Sequence, residues 1–250
     1  MVTITENTTT WLRRYHPAPR STRRLVCFPH AGGSASFFHP VSARFAPAVD
    51  VVAVQYPGRQ DRRHEPCVED IRLLADLIAE ELRAQPAKPT AFFGHSMGAA
   101  VAFETAWRLE RADHGPAVLL ASGSRAPSLP RDDGVHDLDD DGVLAELRRL
   151  EGTHEALLAD EDLLRMALPA IRGDYRAIES YSTTADRGLS CPITVLVGDR
   201  DPNVSLAEAA RWREHTTGEF RQHVFPGGHF YLVEHAAEVG DRIGDALAEC

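Results

Sequence analysis

Short apolar runs alternate along this chain with amphipathic stretches, and the two periodicities predict different elements. Residues 24–28 (RLVCF), 51–54 (VVAV), 90–93, 117–121, 193–197 and 223–225 are continuous runs rich in β-branched or aromatic side chains. Runs of that kind are what strands buried on both faces require. Between them, Ile71, Leu74, Ala75, Ile78 and Leu82 fall at i, i+3, i+4, i+7 and i+11, one apolar face of a helix that Pro86 should stop. Residues 99–109, 206–213 and 233–248 also carry helical patterns. Strand–helix alternation of this type predicts an α/β fold on a mostly parallel sheet.

One segment interrupts the rhythm. From 121 to 193 no strand pattern occurs, and helical patterns appear instead at 143–150, 154–158 and 163–178. A long insertion at one point of an α/β sheet predicts either a lid or a small second domain. Its apolar residues (Leu157, Leu158, Leu163, Leu164, Met166, Leu168, Ile171) are divided between two expectations, lining an apolar chamber and packing the insert onto the body.

Composition narrows the class. The 250 residues are 43% hydrophobic and 26% charged, enough for one large core or two small ones. No apolar run approaches the length of a membrane span, and residues 1–10 lack the apolar segment of a signal peptide. The cysteines (Cys27, Cys67, Cys191, Cys250) are far apart, as expected of thiols in a reducing cytoplasm and not of a disulfide framework or zinc site. The net charge of −10 conceals an asymmetry: residues 1–63 hold nine arginines against Glu6, Asp50 and Asp61, a net +6, whereas the rest, with 18 basic and 34 acidic groups, nets −16. Nucleic acid is a poor partner for the whole, but a basic face could meet an acidic protein; the plain alternative is a solvated surface.

The strongest chemical signal is Gly94-His95-Ser96-Met97-Gly98, a G-x-S-x-G element with a predicted strand before it and an alanine-rich helix after it. A nucleophile elbow needs that strand–turn–helix setting, and the helix N-terminus then favours negative charge developing at the serine. A serine hydroxyl needs an oriented base, and in this arrangement the chain order is serine, acid, histidine. His229, in Gly227-Gly228-His229 after the last strand, is the best of the 12 histidines, with His215 and His235 expected on surface helices and His223 in or beside a strand. After the strand at 193–197, Gly198-Asp199-Arg200-Asp201-Pro202 offers two carboxylates; Asp201 is preferred by analogy with the fold, and Asp199 reads as a turn or cap. Oxyanion donors are expected at the backbone N–H of Met97 and of Ala31, in Pro29-His30-Ala31-Gly32-Gly33. No metal site is expected: Asp137, Asp139, Asp141 and Gly142 imitate half a calcium loop, but Arg148 stands where the bidentate glutamate belongs. These aspartates suit the N-terminus of the helix near Val143 instead.

Taken together with Phe28 to Ala35 (FPHAGGSA), Gln55-Tyr56-Pro57-Gly58-Arg59 and Gly227-Gly228-His229-Phe230, these motifs resemble the type II (editing) thioesterases that accompany polyketide synthases and nonribosomal peptide synthetases. The resemblance runs from about Trp11 to Leu247. It implies a single α/β-hydrolase domain over 1–250 with a helical lid at about 124–190, and hydrolysis of stalled or mis-primed acyl groups from the phosphopantetheine arm of carrier proteins. By position it assigns Ser96, Asp201 and His229 as catalytic and Ala31 and Met97 as oxyanion donors. It implies no cofactor beyond the substrate's own phosphopantetheine, no nucleic-acid or membrane partner, and a free-standing cytoplasmic monomer. Carrier proteins are typically acidic, so the basic N-terminal third becomes a candidate docking face, with Arg59, Arg62 and Arg63 near the entrance; the alternative for these arginines is ordinary surface charge or a structural ion pair. The alternatives are a small-molecule carboxylesterase or lipase and, in another class, a non-catalytic receptor on the same fold.

Overall fold

Each of the six apolar runs is a strand whose ends lie within three residues of the expected ones. The computed structural model describes residues 10–130, 133–150 and 161–250. The strands are β2 (Arg23–Phe28), β3 (Val49–Val54), β4 (Thr90–His95), β5 (Val118–Ser122), β6 (Ile193–Gly198) and β7 (Phe220–Phe225). They join a seven-stranded sheet in the order β1-β3-β2-β4-β5-β6-β7, parallel except for β1 (Leu12–Arg13), which runs antiparallel to β3. The helices are α1 (His39–Phe45), α2 (Ile71–Arg83), α3 (Met97–Glu110), α4 (Asp140–Leu150), α5 (Glu161–Glu179), α6 (Leu206–Ala210), α7 (Tyr231–Glu234) and α8 (Ala236–Ala248).

The runs are continuous because the sheet has a core on each face. Along β2, Val26 and Phe28 join one apolar cluster with α2 and α3, while Leu25 and Cys27 join another with Phe38 and with Val239, Ile243 and Leu247 of α8. With side chains alternating across the sheet, both alternate sets must be apolar. Helix α2 buries Ile71, Leu74, Ala75, Ile78 and Leu82 as its periodicity predicts. Asp70 caps it, its carboxylate accepting the Arg72 and Leu73 amides at 2.7 and 2.9 Å.

Several expectations needed correction. The stretch 233–248 is two helices, because His235 has a non-helical backbone (φ −102°, ψ 32°). The stretch 206–213 is α6 followed by a 3-10 turn, Arg211–His215, that turns Trp212 and His215 inward. His215, expected on the surface, is fully buried. Its Nδ1 contacts the Arg187 carbonyl at 2.8 Å and must be the donor there, so Nε2 accepts from the Ser128 hydroxyl at 2.9 Å. Burial lowers its pKa, consistent with a neutral ring. In the insert, Asp139 caps α4, accepting the Gly142 amide at 2.8 Å. Leu168 and Ile171 are buried and Met166 is 74% exposed. The pattern at 154–158, with Leu157 and Leu158, and the side chains of Leu163 and Leu164 lie outside what is described.

Candidate active site

The site lies at the C-terminal edge of the parallel strands, where open α/β sheets place their ligands. Strand β4 ends at His95 and α3 begins at Met97, leaving one residue, Ser96, to make the turn. Ser96 takes φ 54° and ψ −120°, a conformation that costs a non-glycine residue on the order of 1–3 kcal/mol. The flanking glycines are explained by contact. A Cβ on Gly98 would stand 2.0 Å from the Phe28 carbonyl oxygen, and one on Gly94 would stand 2.3 Å from that of Gly98. A side chain at Gly98 would push α3 off the end of β2, and one at Gly94 would push it off β4. The Ser96 amide donates to the Ser122 carbonyl at 2.8 Å, tying the elbow to the end of β5.

Asp201 and His229 are brought together from the loops after β6 and β7. The Asp201 Oδ2–His229 Nδ1 distance is 2.8 Å, and both side chains are buried (0% and 2% exposed). A carboxylate only accepts, so Nδ1 carries the proton and Nε2 is left with its lone pair. The other Asp201 oxygen accepts the Asn203 amide at 2.9 Å. Asp199 does something else: it accepts the Gly227 amide at 2.9 Å, holding the loop that carries His229. The His229 ring lies 5.0 Å from that of His95, which directly precedes Ser96, and both rings close over Gly123. His235, by contrast, faces Glu238 on α8, and His223 lies in β7.

His95 is itself fully buried. Its Nδ1 lies 3.0 Å from the Ser122 hydroxyl, which lies 2.6 Å from the Tyr231 hydroxyl. Burial, then the neighbouring His229 and His30, hold its pKa well below the ordinary histidine value. A neutral ring therefore sits beside His229 and adds no positive charge that would oppose protonation of the base. No sequence motif pointed to this chain of contacts, because Ser122 and Tyr231 are far from His95 along the chain.

The loop after β2 supplies amides. Gly33 N–H donates to the His30 carbonyl at 2.9 Å, and Gly32 N–H to Asp174 Oδ2 at 2.7 Å. That leaves Ala31 as the amide of this Ala-Gly-Gly turn without an acceptor among the described residues. Met97 opens α3, and the first amides of a helix have no partner within it.

Two of the three arginines proposed for docking are not available for it. Arg59 is 7% exposed and Arg62 is 6% exposed. Arg59 forms a two-pronged ion pair with Asp174 of α5 at 2.6 and 2.8 Å, and donates to the Gly33 and Pro57 carbonyls. Arg62 pairs with Glu65, donates to the Gln55 carbonyl at 2.8 Å, and lies 4.2 Å over the Trp11 ring. Buried cations need partners, and these are held internally. Arg63 is exposed. Part of the wider excess is also neutralised in space: Arg44 pairs with Asp241, outside residues 1–63, whereas Arg13, Arg14 and Arg24 pair with Asp61 and Asp50 of the same segment. Asp174 is the residue that sequence reasoning missed. The available signal was an acid on the apolar stripe of Ile171, Tyr175 and Ile178, where a carboxylate needs a buried cation.

The thioesterase domain family matches residues 23–247. The chain belongs to that family. A probable cadicidin biosynthesis thioesterase of Streptomyces griseus is 60% identical over 247 residues, covering 99% of this chain and 68% of that protein. The type II thioesterase BorB of the borrelidin biosynthetic cluster is 51% identical and superposes with a TM-score of 0.93, covering 97% of this chain and all of that one. A serine-to-alanine variant of YbtT, a type II thioesterase from the yersiniabactin pathway, is 32% identical with a TM-score of 0.85, covering 96% of this chain and 98% of that one. The fold is that of the α/β-hydrolases, and the protein is a serine hydrolase acting on thioester bonds. Among the described residues no helix of this thioesterase is long and apolar enough to cross a membrane.

Proposed function

We propose that this thioesterase works in trans as an editing enzyme, removing aberrant or stalled acyl chains from the phosphopantetheine arm of acyl or peptidyl carrier proteins of a polyketide or nonribosomal peptide synthase. The observation that carries the chemistry is the buried Asp201–His229 bond beside the strained Ser96 elbow. His229 Nε2 takes the Ser96 proton as Oγ attacks the thioester carbonyl. The tetrahedral oxyanion is held by the Ala31 and Met97 amides. The C–S bond breaks, His229 gives the proton to the pantetheine sulfur, and an acyl-Ser96 ester remains. Water, deprotonated by His229, then attacks that ester; collapse releases the carboxylic acid and returns the proton to Ser96 Oγ. Asp201 fixes the His229 tautomer and stabilises its protonated form. No cofactor is needed, since the pantetheine arrives with the substrate.

The carrier as substrate is supported by the close relatives, described as thioesterases of biosynthetic clusters of this kind. Steady-state kinetics should give an acyl-carrier protein a kcat/KM at least about tenfold above that for the same acyl group on coenzyme A or a free ester, a difference of about 1.4 kcal/mol in transition-state binding. Equal values would favour a small-molecule esterase.

A further inference from the structure

The Arg59–Asp174 pair sits where the insert meets the oxyanion loop. Asp174 is 1% exposed and lies on α5, and its Oδ2 serves two partners at once: Arg59 at 2.6 Å and the Gly32 amide at 2.7 Å. Arg59 reaches the same loop from the other side, donating to the Gly33 carbonyl at 3.0 Å. Gly32 has φ +74°, and a Cβ there would stand 2.7 Å from Ile171 Cγ1, one turn before Asp174 on α5. The Tyr56-Pro57-Gly58-Arg59 element continues the grip. The Tyr56 hydroxyl donates to the Pro29 carbonyl at 3.2 Å, and Gln55 accepts the Ala35 amide at 2.9 Å. Ala31 thus lies between Pro29, held by Tyr56, and Gly32 and Gly33, held by Asp174 and Arg59. Burial opposes the Arg59 charge, but the adjacent Asp174 carboxylate outweighs it and raises the pKa.

We infer that Arg59 and Asp174 are positioning residues: a buried clamp through which the insert helix α5 fixes the loop that presents the Ala31 amide to the oxyanion. The inference rests on the proposed role of Ala31. The clamp serves the reaction in two ways. It occupies the Gly32 amide, so the loop offers one donor in one direction. It also makes the oxyanion hole depend on where α5 sits, so displacing the insert disassembles the hole without touching Ser96, Asp201 or His229. A fork-shaped guanidinium suits this because its paired donors fix orientation as well as distance, which an ammonium cannot do.

The test uses p-nitrophenyl butyrate, whose turnover needs the nucleophile and the oxyanion hole but no carrier protein. A wild-type enzyme that turns over this ester but not an acyl-carrier protein would count against the proposed carrier function and leave the clamp testable. Loss of one oxyanion donor typically costs about 10²–10³-fold in kcat, so a displaced donor should cost at least about tenfold. Asp174→Asn and Arg59→Lys are each expected to lower kcat by at least about tenfold while KM stays within about threefold. Asp50→Asn is the control. Asp50 is 5% exposed, pairs with Arg14 and Arg24, and lies at the start of β3, the end of the sheet away from the site. It should lower the melting temperature but leave the kcat of the folded enzyme within about twofold of wild type. Should Asp174→Asn fail to fold, Arg59→Lys, which keeps the charge, decides alone. A kcat within twofold of wild type in the clamp variants, or an equal loss in Asp50→Asn, would overturn the inference.

Discussion

Replacing Ser96 by alanine is expected to lower kcat on an acyl-carrier protein by at least about 10⁴-fold, with the melting temperature unchanged or slightly raised. The loss follows from chemistry, since alanine has no oxygen to acylate and water must then attack the thioester directly. The residual rate is what the oxyanion amides and substrate positioning supply by themselves. The stability effect follows from the backbone. Ser96 has φ 54°, and Gly98 and Gly94 allow that turn by letting α3 abut the end of β2 and pack against β4. The serine hydroxyl makes no cap bond, so its removal forfeits no structural contact. Comparing hydrolysis rate with thermal denaturation on the same sample separates the two effects. A Ser96→Ala enzyme that retained more than about a hundredth of wild-type kcat would place the nucleophile elsewhere.

Asp201→Asn should cost nearly as much, about 10⁴-fold in kcat, while Asp199→Asn costs less than about tenfold. The geometry gives the reason. Asp201 Oδ2 accepts from His229 Nδ1 at 2.8 Å in a site where neither side chain meets solvent. An asparagine there turns its NH2 or its oxygen toward the ring. With the NH2 facing it, the proton moves to Nε2 and the base can no longer accept from Ser96. With the oxygen facing it, the tautomer survives but the charge that stabilises protonated His229 is gone. Asp199 accepts the Gly227 amide, which an asparagine oxygen can do too, and its other partner, the exposed Arg200 at 3.5 Å, forms a surface pair of little worth. The ratio of the two kcat losses therefore reads out which aspartate serves the histidine.

Much of the fold was legible because the sheet is covered on both faces. Val26 and Phe28 point one way and Leu25 and Cys27 the other, so β2 reads as an unbroken apolar run. β1 was not legible: two residues paired at an edge carry no period. Nor was α1, whose sequence HPVSARF contributes one fully buried side chain, Ser42. The break at His235 and the inward turn of His215 are set by tertiary packing, which local propensity does not encode.

For the site, glycines and chain order selected Ser96 and His229 and narrowed the acid to Asp199 or Asp201, between which only analogy with the fold chose. The geometry then distinguished the two aspartates through their different hydrogen-bond partners. Arg59 and Arg62 were misjudged as docking residues for a physical reason. Charge counted along the sequence says nothing about distance in space: the acids that neutralise Arg59 and Arg44 lie far along the chain, and the one that neutralises Arg62 is three residues on. The Tyr-Pro-Gly-Arg element, read as a family motif whose arginine could dock a carrier or form a structural ion pair, is a buried brace between the insert and the loop after β2.

The central claim is that Ser96 is the single nucleophile through which carrier-bound acyl groups are hydrolysed. A serine-directed fluorophosphonate titrated against the intact protein, with peptide mass spectrometry and an acyl-carrier hydrolysis assay on the same samples, tests it most directly. The expected result is one phosphonyl group on Ser96 and a hydrolysis rate that falls in proportion to the labelled fraction, reaching background at full labelling. Full labelling of Ser96 with acyl-carrier hydrolysis undiminished, or loss of hydrolysis with Ser96 unmodified, would contradict it.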